Sequence, residues 1–167
     1  LWEKVDGIHL LGNDLWLRAQ KRGCPVEVLH AVISPAIDMD FFSADHPKTQ
    51  DIVGTSERPY RILSVGRLEW KKGYEFALQA VRLLTEKGIR CEYRIIGAGS
   101  YINALAYTCH EMGLDEVVHF LGAKTRIEVK SALEWADVFL HAAVSEGFCN
   151  AVIEAQSMGV PVICSDA

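Results

Sequence analysis

The chain has 167 residues, half of them hydrophobic, which is enough for one well-buried domain and part of another. Its net charge of −5 provides no basic surface and argues against a nucleic-acid partner. The five cysteines form no CxxC pair and the apolar runs are shorter than a membrane span, so we expect a cytoplasmic protein without disulfides, a zinc site or a transmembrane segment.

The first sixty residues contain elements that do not continue into a regular repeat. Apolar stretches predict strands at Gly7–Leu11 and Val28–Ile33, with a helix over Leu15–Arg22 between them. Asn13 precedes that helix and is predicted to cap it. Residues 34–60 are rich in proline and aspartate and are predicted to form a linker.

From residue 61 onward, short apolar strands alternate with amphipathic helices. The predicted strands are Arg61–Gly66, Cys91–Ile96, Val117–Leu121, Val138–Leu140 and Pro161–Cys164. Helical spacing predicts a helix after each of the first four strands, and Thr125 with Glu128 has the form of a capping box at one helix start. The pattern predicts an α/β fold, a doubly wound, Rossmann-like parallel sheet with helices on both faces. Such sheets bind ligands at the carboxyl ends of their strands.

Two glutamates lie eight positions apart around the turn that opens the last predicted helix. With a helix start near Asn150, Glu146 falls in the preceding loop and Glu154 lies about one turn inside the helix. The amides of residues 147–150 are then unpaired donors that suit a phosphate, and both carboxylates can accept hydrogen bonds from sugar hydroxyls. The helix dipole alone also favours glutamates at this position, so a purely structural role stays open.

A second candidate phosphate-binding segment follows the first strand of the repeat. Gly66 allows the chain to turn there, and Arg67 and Lys72 flank a short loop that leads into a helix at Gly73. A guanidinium and an ammonium group together could neutralise a diphosphate without a metal ion. The alternative is that both cations are solvated surface residues. Because Arg67 and the Glu146 loop both follow strands at their carboxyl ends, we expect the two motifs to face one ligand.

These motifs, in this order, resemble the nucleotide-sugar-binding domain of the retaining GT-B glycosyltransferases of family 4. The segments that carry the resemblance are Gly66-Arg67-Leu68, Lys72-Gly73, Ile96-Gly97-Ala98-Gly99, Glu146 to Glu154, and Gly159-Val160-Pro161-Val162-Ile163. The resemblance implies that residues 61–167 are an incomplete donor domain, that 34–60 link two domains, and that 1–33 are the tail of an acceptor-side domain. The chain is therefore expected to be the second half of a GT-B architecture, truncated at both ends.

The resemblance also implies roles for individual residues. Arg67 and Lys72 would bind the donor diphosphate, and Glu154 would hold the nucleotide ribose. Glu146 would contact hydroxyls of the transferred sugar and is, with the two cations, an expected catalytic residue. The expected donor-binding residues are Gly66, Gly97, Gly99, Gly147, Phe148, Cys149, Asn150 and Glu154. The Cys149-Asn150 pair is a variant that resembles enzymes of bacterial exopolysaccharide assembly.

The implied reaction transfers a sugar from a nucleoside diphosphate sugar to an acceptor hydroxyl, with retention at the anomeric carbon. The donor is a substrate, so no cofactor is expected. The six histidines show no ligand spacing, so no metal is expected either. Asp38-Met39-Asp40 has the form of a manganese-binding DxD motif, but it lies in the predicted linker, where turn and cap chemistry explains it better.

The partner expected besides the nucleotide sugar is a glycan or lipid-linked acceptor, bound through the missing domain, with peripheral membrane association of the longer protein. Without that domain the isolated chain is expected to be inactive. Two other interpretations stay open, a non-catalytic nucleotide-sugar-binding module and a GT-B epimerase or phosphorylase. A dinucleotide-binding site is disfavoured because Ile102 stands where the third glycine of that fingerprint belongs.

Overall fold

The computed structural model describes residues 2–44, 54–55 and 57–166. Residues 45–53 and 56, which belong to the predicted linker, lie outside the described residues. The chain divides into two compact units, Leu1–Ile37 and Asp38–Ala167. The predicted division into residues 1–33, 34–60 and 61–167 stays a prediction.

The first unit is a two-stranded parallel sheet with one connecting helix. It consists of β1 (Gly7–Leu10), α1 (Asn13–Lys21) and β2 (Leu29–Val32), and Gly7 pairs with Leu29 in register. The prediction that Asn13 caps the helix is wrong, because Gly12 is the N-cap and Asn13 is already helical. Gly12 adopts an extended backbone and offers no side chain, so the first turn has no side-chain cap.

The second unit is built on a parallel sheet of five strands in the order β5-β4-β3-β6-β7. The strands are β3 (Tyr60–Val65), β4 (Cys91–Ile96), β5 (Val118–Phe120), β6 (Val138–His141) and β7 (Val162–Cys164). The chain winds outward from β3 through β4 to β5, then returns to the other side of β3 with β6 and continues to β7. Strands β3 and β6 are therefore neighbours at the point where the winding direction reverses.

Helices cover both faces of this sheet. They are α2 (Tyr74–Glu86), α3 (Ile102–Glu111), α4 (Arg126–Trp135) and α5 (Asn150–Ser157). Buried residues of α2 and α3 share one apolar cluster with Ile62 of β3, and those of α4 and α5 share the other with Leu63. Successive strand residues thus point into opposite cores, which confirms the predicted doubly wound sheet.

Local signals in the sequence place several of these elements within a residue or two of the prediction. The capping box is present as expected, since the Thr125 hydroxyl accepts from the Glu128 amide and the Glu128 carboxylate accepts from the Thr125 amide. Among the described residues, no helix is both long enough and apolar enough to cross a membrane.

Candidate functional site

The predicted site residues gather where the carboxyl ends of β3 and β6 meet. Ile62 of β3 pairs with Val138 of β6, so the loops that follow the two strands leave the sheet side by side. A crevice outside the carboxyl ends of strands at such a reversal is the usual ligand-binding position in open α/β sheets. The fold therefore brings the Lys72 loop and the Glu146 loop to one place, although 74 positions separate the two residues.

These two loops interlock through their backbones. Gly73 adopts a left-handed conformation with φ of 62°, and a Cβ at this position would lie 2.0 Å from the carbonyl oxygen of Ala142. The amide of Val144 donates to the carbonyl of Lys71 at 2.8 Å. Only glycine permits so close an approach, so the loop after β6 is held against the residues that flank Lys72.

Lys72 and Glu146 form an ion pair at this junction. The ammonium group of Lys72 donates to Oε2 of Glu146, and the two side chains are only 15% and 23% exposed. Burial raises the pKa of the Glu146 carboxyl, but Lys72, His141 and the amide of Gly147 outweigh that effect, so the pKa is lowered overall. The Glu146 carboxyl is thus ionised at neutral pH.

His141 and Cys149 complete a cluster that the sequence interpretation missed. The Nε2 atom of His141 lies 3.3 Å from Oε2 of Glu146, and its Nδ1 atom lies 3.8 Å from the sulfur of Cys149. His141 is 8% exposed, and its Nε2 atom is buried without a hydrogen-bond partner among the described residues. Burial and the nearby Lys72 lower the pKa of His141, and Glu146 offsets these effects only in part.

A usable signal for this cluster was present in the sequence. His141 directly follows the predicted strand Val138–Leu140, Glu146 follows five residues later and Cys149 three after that, all within one connection. The spacing of the histidines along the whole chain carries no such signal, whereas the position of His141 after a strand end does. The three side chains offer a nitrogen, an oxygen and a sulfur that all lie within 4.8 Å of one another.

The amides of residues 147–150 were expected to be unpaired at the start of α5, and the structure differs from this at one of them. The helix begins at Asn150 as predicted, with Cys149 as its N-cap. The amide of Gly147, however, already lowers the pKa of Glu146 through a hydrogen bond to its carboxylate, so it is used within the loop. Burial raises the pKa of the Cys149 thiol, against the opposing effect of the amides that open the helix.

Among the described residues, no hydrogen bond or ion pair found in the structure joins Arg67 or Glu154 to Lys72 or Glu146. The Arg67 side chain is 72% exposed, and its Nη1 atom donates to Glu69 at 2.9 Å. Burial in α5 raises the pKa of the Glu154 carboxyl, and the charge of Arg126 partly offsets this. Of the two motifs, the structure therefore joins Lys72 and Glu146 directly, and the prediction that both motifs face one ligand stays a prediction.

A third loop, after β4, packs against the loop after β3. Gly97 has φ of 150°, and a Cβ there would lie 1.8 Å from the Gly66 carbonyl oxygen. A Cβ at Gly99 would lie 2.2 Å from the carbonyl oxygen of Leu68, whose amide donates to Ala98. These glycines allow the loops after β3 and β4 to touch, so the two expected donor-binding residues Gly97 and Gly99 also have a packing role.

A cavity of about 260 Å³ opens beside the cluster, lined in part by Glu146, Phe148, Cys149 and Cys164.

The DxD-like segment, Asp38-Met39-Asp40, does not line this cavity. Asp38 accepts from the amide of Phe41 at 3.0 Å and its other carboxylate oxygen lies 3.5 Å from Arg126, as expected for turn chemistry.

Comparison with known proteins adds a family-level finding. A family model described as glycosyl transferases group 1 matches residues 45–167. WcaL of Escherichia coli, a putative colanic acid biosynthesis glycosyltransferase, is 39% identical over 158 residues, covering 90% of this chain and 37% of that protein. AmsK of Erwinia amylovora, an amylovoran biosynthesis glycosyltransferase, is 35% identical over 150 residues, covering 86% and 35% respectively.

The fold is shared with solved structures of low sequence identity. Anabaena HepE, crystallised with UDP and glucose, superimposes with a TM-score of 0.78 at 16% identity, covering 97% of this chain and 45% of that one. The chain spans between 35% and 37% of the length of the two curated relatives named above.

Proposed function

The chain belongs to the glycosyl transferases group 1 family, and from this premise we propose that it forms the donor-binding part of a retaining glycosyltransferase. The donor is a nucleoside diphosphate sugar, and the acceptor is a glycan or lipid-linked hydroxyl held by a part of the protein beyond the region described. The names of WcaL and AmsK support a role in bacterial exopolysaccharide assembly.

The observation that carries this proposal is the ion pair between Lys72 and Glu146 at the reversal point of the sheet. An ammonium group at this position can meet a diphosphate, and a carboxylate beside it can accept hydrogen bonds from sugar hydroxyls. A donor needs both in adjacent positions, because its diphosphate and its sugar are covalently joined. HepE, which shares the fold, was crystallised with UDP and glucose.

The proposed chemistry is electrostatic. As the bond between the anomeric carbon and the diphosphate breaks, negative charge grows on the leaving group, and Lys72 stabilises it together with the amino end of α5. Arg67 adds a second cation when its guanidinium leaves Glu69 and turns toward the diphosphate. Because the Arg67 side chain is largely exposed, breaking its ion pair with Glu69 costs little free energy.

Glu146 is proposed to orient the transferred sugar. Its lowered pKa keeps it ionised at neutral pH, so it acts as a hydrogen-bond acceptor and not as an acid. Glu154, inside α5, is proposed to accept from the ribose hydroxyls. The diphosphate is neutralised by side chains in this scheme, so donor binding is independent of a divalent metal.

Calorimetric titration with UDP, GDP and ADP tests the proposal directly. We expect one nucleotide to bind in the presence of EDTA, and Arg67→Ala and Lys72→Ala each to weaken it roughly tenfold or more, as the loss of a charge-assisted hydrogen bond requires. Lys71→Ala is the matched control, because Lys71 neighbours Lys72 in sequence but its ammonium group lies 3.9 Å from Glu69. Equal affinities for the three variants and the wild type would refute the diphosphate site.

The ribose contact has its own test. Because a free nucleoside diphosphate and its sugar conjugate both contain ribose, Glu154→Gln should weaken both to the same extent. A thermal melt checks that the variant folds. If instead Glu154 only stabilises the helix start, the substitution would leave both affinities unchanged and lower stability by about 0.3 to 1 kcal/mol.

A further inference from the structure

His141 lies between two groups that face its two ring nitrogens separately. The Nε2 atom is 3.3 Å from Oε2 of Glu146, and the Nδ1 atom is 3.8 Å from the sulfur of Cys149. The thiol, the imidazole and the carboxylate therefore form a row, and the ammonium group of Lys72 contacts the same carboxylate oxygen at its end. The donor scheme above uses Lys72 and Glu146 and gives the imidazole no task.

The chemistry of the two neighbours favours one tautomer of the neutral ring. A carboxylate only accepts hydrogen bonds, so Nε2 must carry the proton if it is to bond to Glu146. Burial raises the pKa of the Cys149 thiol, so the thiol keeps its proton and can donate it to Nδ1. Both neighbours thus favour a proton on Nε2, on the side of the ring that faces Glu146.

The Nε2 atom is nevertheless unsatisfied in the ligand-free arrangement. His141 is 8% exposed, and its Nε2 atom is buried without a hydrogen-bond partner among the described residues. A buried polar atom in this state costs free energy. The nearby oxygen is held by Lys72 instead, so the imidazole is an unused donor beside a carboxylate that already has a cation.

We propose that His141 is a positioning residue, whose Nε2 proton takes over the Glu146 carboxylate when the Lys72 ammonium group is drawn away. The trigger rests on the proposed function, because a donor diphosphate attracts the ammonium group more strongly than one carboxylate does. The Glu146 side chain is only 23% exposed, and a carboxylate so placed is costly once its cation has left. The imidazole N–H replaces the lost contact, and the amide of Gly147 remains as the second donor.

The fold fixes the imidazole and leaves the carboxylate able to turn. His141 ends β6, where it pairs in register with Cys164 of β7, and its carbonyl accepts from the amide of Ser165 at 3.0 Å. Glu146 lies in the loop between β6 and α5, so rotation about its side-chain bonds is enough to aim Oε2 at the imidazole. The sheet thus sets the position of the carboxylate that orients the sugar at the moment when Lys72 turns to the diphosphate.

Nuclear magnetic resonance of the ligand-free chain tests the tautomer. Long-range proton–nitrogen correlation spectra of the nitrogen-15-labelled chain separate protonated from unprotonated ring nitrogens at mildly alkaline pH, where the lowered pKa of His141 leaves its ring neutral. The chain has six histidines, and the signals of His141 are those lost in His141→Gln. We expect the proton on Nε2. A proton on Nδ1 would overturn the proposal.

A pair of lysine variants tests the exchange without any nucleotide. Lys72→Met removes the ammonium group, so the carboxylate should turn to the imidazole and shift the Nε2 resonance of His141. Lys71→Met is the matched control and should leave that resonance in place, because the Lys71 ammonium group lies 3.9 Å from Glu69. The shift should vanish when Lys72→Met is combined with Glu146→Ala. Equal resonances in the two lysine variants, or a shift that persists without the carboxylate, would overturn the exchange.

Two substitutions at His141 test the positioning role by calorimetric titration. His141→Gln keeps an N–H donor near the position of Nε2, whereas His141→Met has a similar size and no donor. We expect His141→Met to weaken the nucleotide sugar roughly fivefold and to leave the free nucleoside diphosphate unchanged, and His141→Gln to restore most of the lost affinity. A purely structural role would affect both ligands together, so equal weakening of both ligands, or equal losses in the two variants, would overturn the proposal.

A double substitution separates the positioning role from the proposed function. In a Glu146→Ala background, His141→Met should cause no further loss of nucleotide-sugar affinity, since the imidazole acts only through this carboxylate. An additional loss of the full fivefold would contradict that dependence. Failure of UDP, GDP and ADP to bind while Lys72→Met shifts the Nε2 resonance would refute the proposed function and leave the pairing of His141 with Glu146 standing. A thermal melt identifies any variant that fails to fold.

Discussion

An ion pair links the segments next to strands β3 and β6 at each end of the sheet. The two pairs differ in how many oxygens of the carboxylate the cation contacts. At the amino ends, Arg58 donates to both carboxylate oxygens of Asp137, at 2.9 and 2.7 Å, and the amide of Arg61 donates to the same carboxylate at 2.8 Å. At the carboxyl ends, Lys72 contacts only one oxygen of Glu146.

The comparison separates a structural contact from one that a ligand can replace. The forked guanidinium of Arg58 fits its carboxylate in a fixed geometry, whereas the ammonium of Lys72 is a point charge on a flexible stem. Glu146 also borders a cavity and an imidazole nitrogen without a hydrogen-bond partner among the described residues. The two ion pairs are similarly buried and equally charged. The Arg58–Asp137 pair nevertheless forms a fixed structural contact, here called the amino-end clamp, whereas the Lys72–Glu146 pair is one that a ligand can exchange.

The largest effect should come from breaking the interlock that holds the carboxyl-end pair together. Gly73→Ala would place a Cβ 2.0 Å from the Ala142 carbonyl oxygen and force a left-handed backbone on alanine. We expect a loss of about 3 kcal/mol or more in the free energy of unfolding, measured by chemical denaturation, together with loss of nucleotide binding.

Gly113→Ala is the matched control for backbone conformation. Gly113 has φ of 67°, close to the 62° of Gly73, but a Cβ there meets nothing within 4 Å. It should cost only the left-handed strain of about 1 to 2 kcal/mol and leave nucleotide binding intact. Equal losses for the two variants would mean that the interlock contributes nothing beyond backbone strain.

The next largest effect should come from the amino-end clamp. Asp137→Asn removes the charge that Arg58 and the amide of Arg61 share, and should lower the free energy of unfolding by about 2 to 3 kcal/mol. Glu146→Gln should cost about 1 kcal/mol or less, because the amide oxygen can still accept from Lys72. A larger loss in Glu146→Gln than in Asp137→Asn would reverse the distinction between clamp and exchangeable pair.

The clamp also predicts a pH dependence. Burial raises the pKa of Asp137, but Arg58 and the amide of Arg61 outweigh it, so the pKa lies below its ordinary value of 3.8. The stabilisation is therefore complete above 3.8 and is lost as the pH falls through the lowered pKa of the folded state. The stability difference between wild type and Asp137→Asn, measured by denaturation at several pH values, should stay constant near neutrality and shrink in acid.

Most of the second unit could be predicted from the sequence because its signals are local. Apolar periodicity placed each strand of the sheet within about two residues and a helix after each of the first four, and the Thr125 capping box is a contact between residues three apart. The carboxyl-edge rule correctly brought Lys72 and Glu146 together, since it requires only that both follow parallel strands.

What could not be predicted depends on contacts between distant segments. The interlock at Gly73 arises because β6 lies beside β3, and this strand order is not written in the local sequence. The outward direction of Arg67 follows from its partner Glu69, which competes with the expected ligand for the same guanidinium. Asn13 was predicted as the N-cap of α1 but is its first helical residue. The N-cap is Gly12, which has no side chain that a sequence pattern could identify as a cap.

The measurement that tests the central claim most directly compares Glu146→Gln with Asp137→Asn in calorimetric titrations. The ligands are the nucleoside diphosphate that the wild type binds best and the same nucleotide carrying a hexose. We expect Glu146→Gln to bind the free nucleotide at least as tightly as wild type, because a neutral amide holds Lys72 less strongly than a carboxylate does. The nucleotide sugar should bind roughly tenfold more weakly. Asp137→Asn, below its melting temperature, should bind both as the wild type does. Equal weakening of both ligands by Glu146→Gln, or no change in either, would contradict the assignment of this carboxylate to the donor sugar.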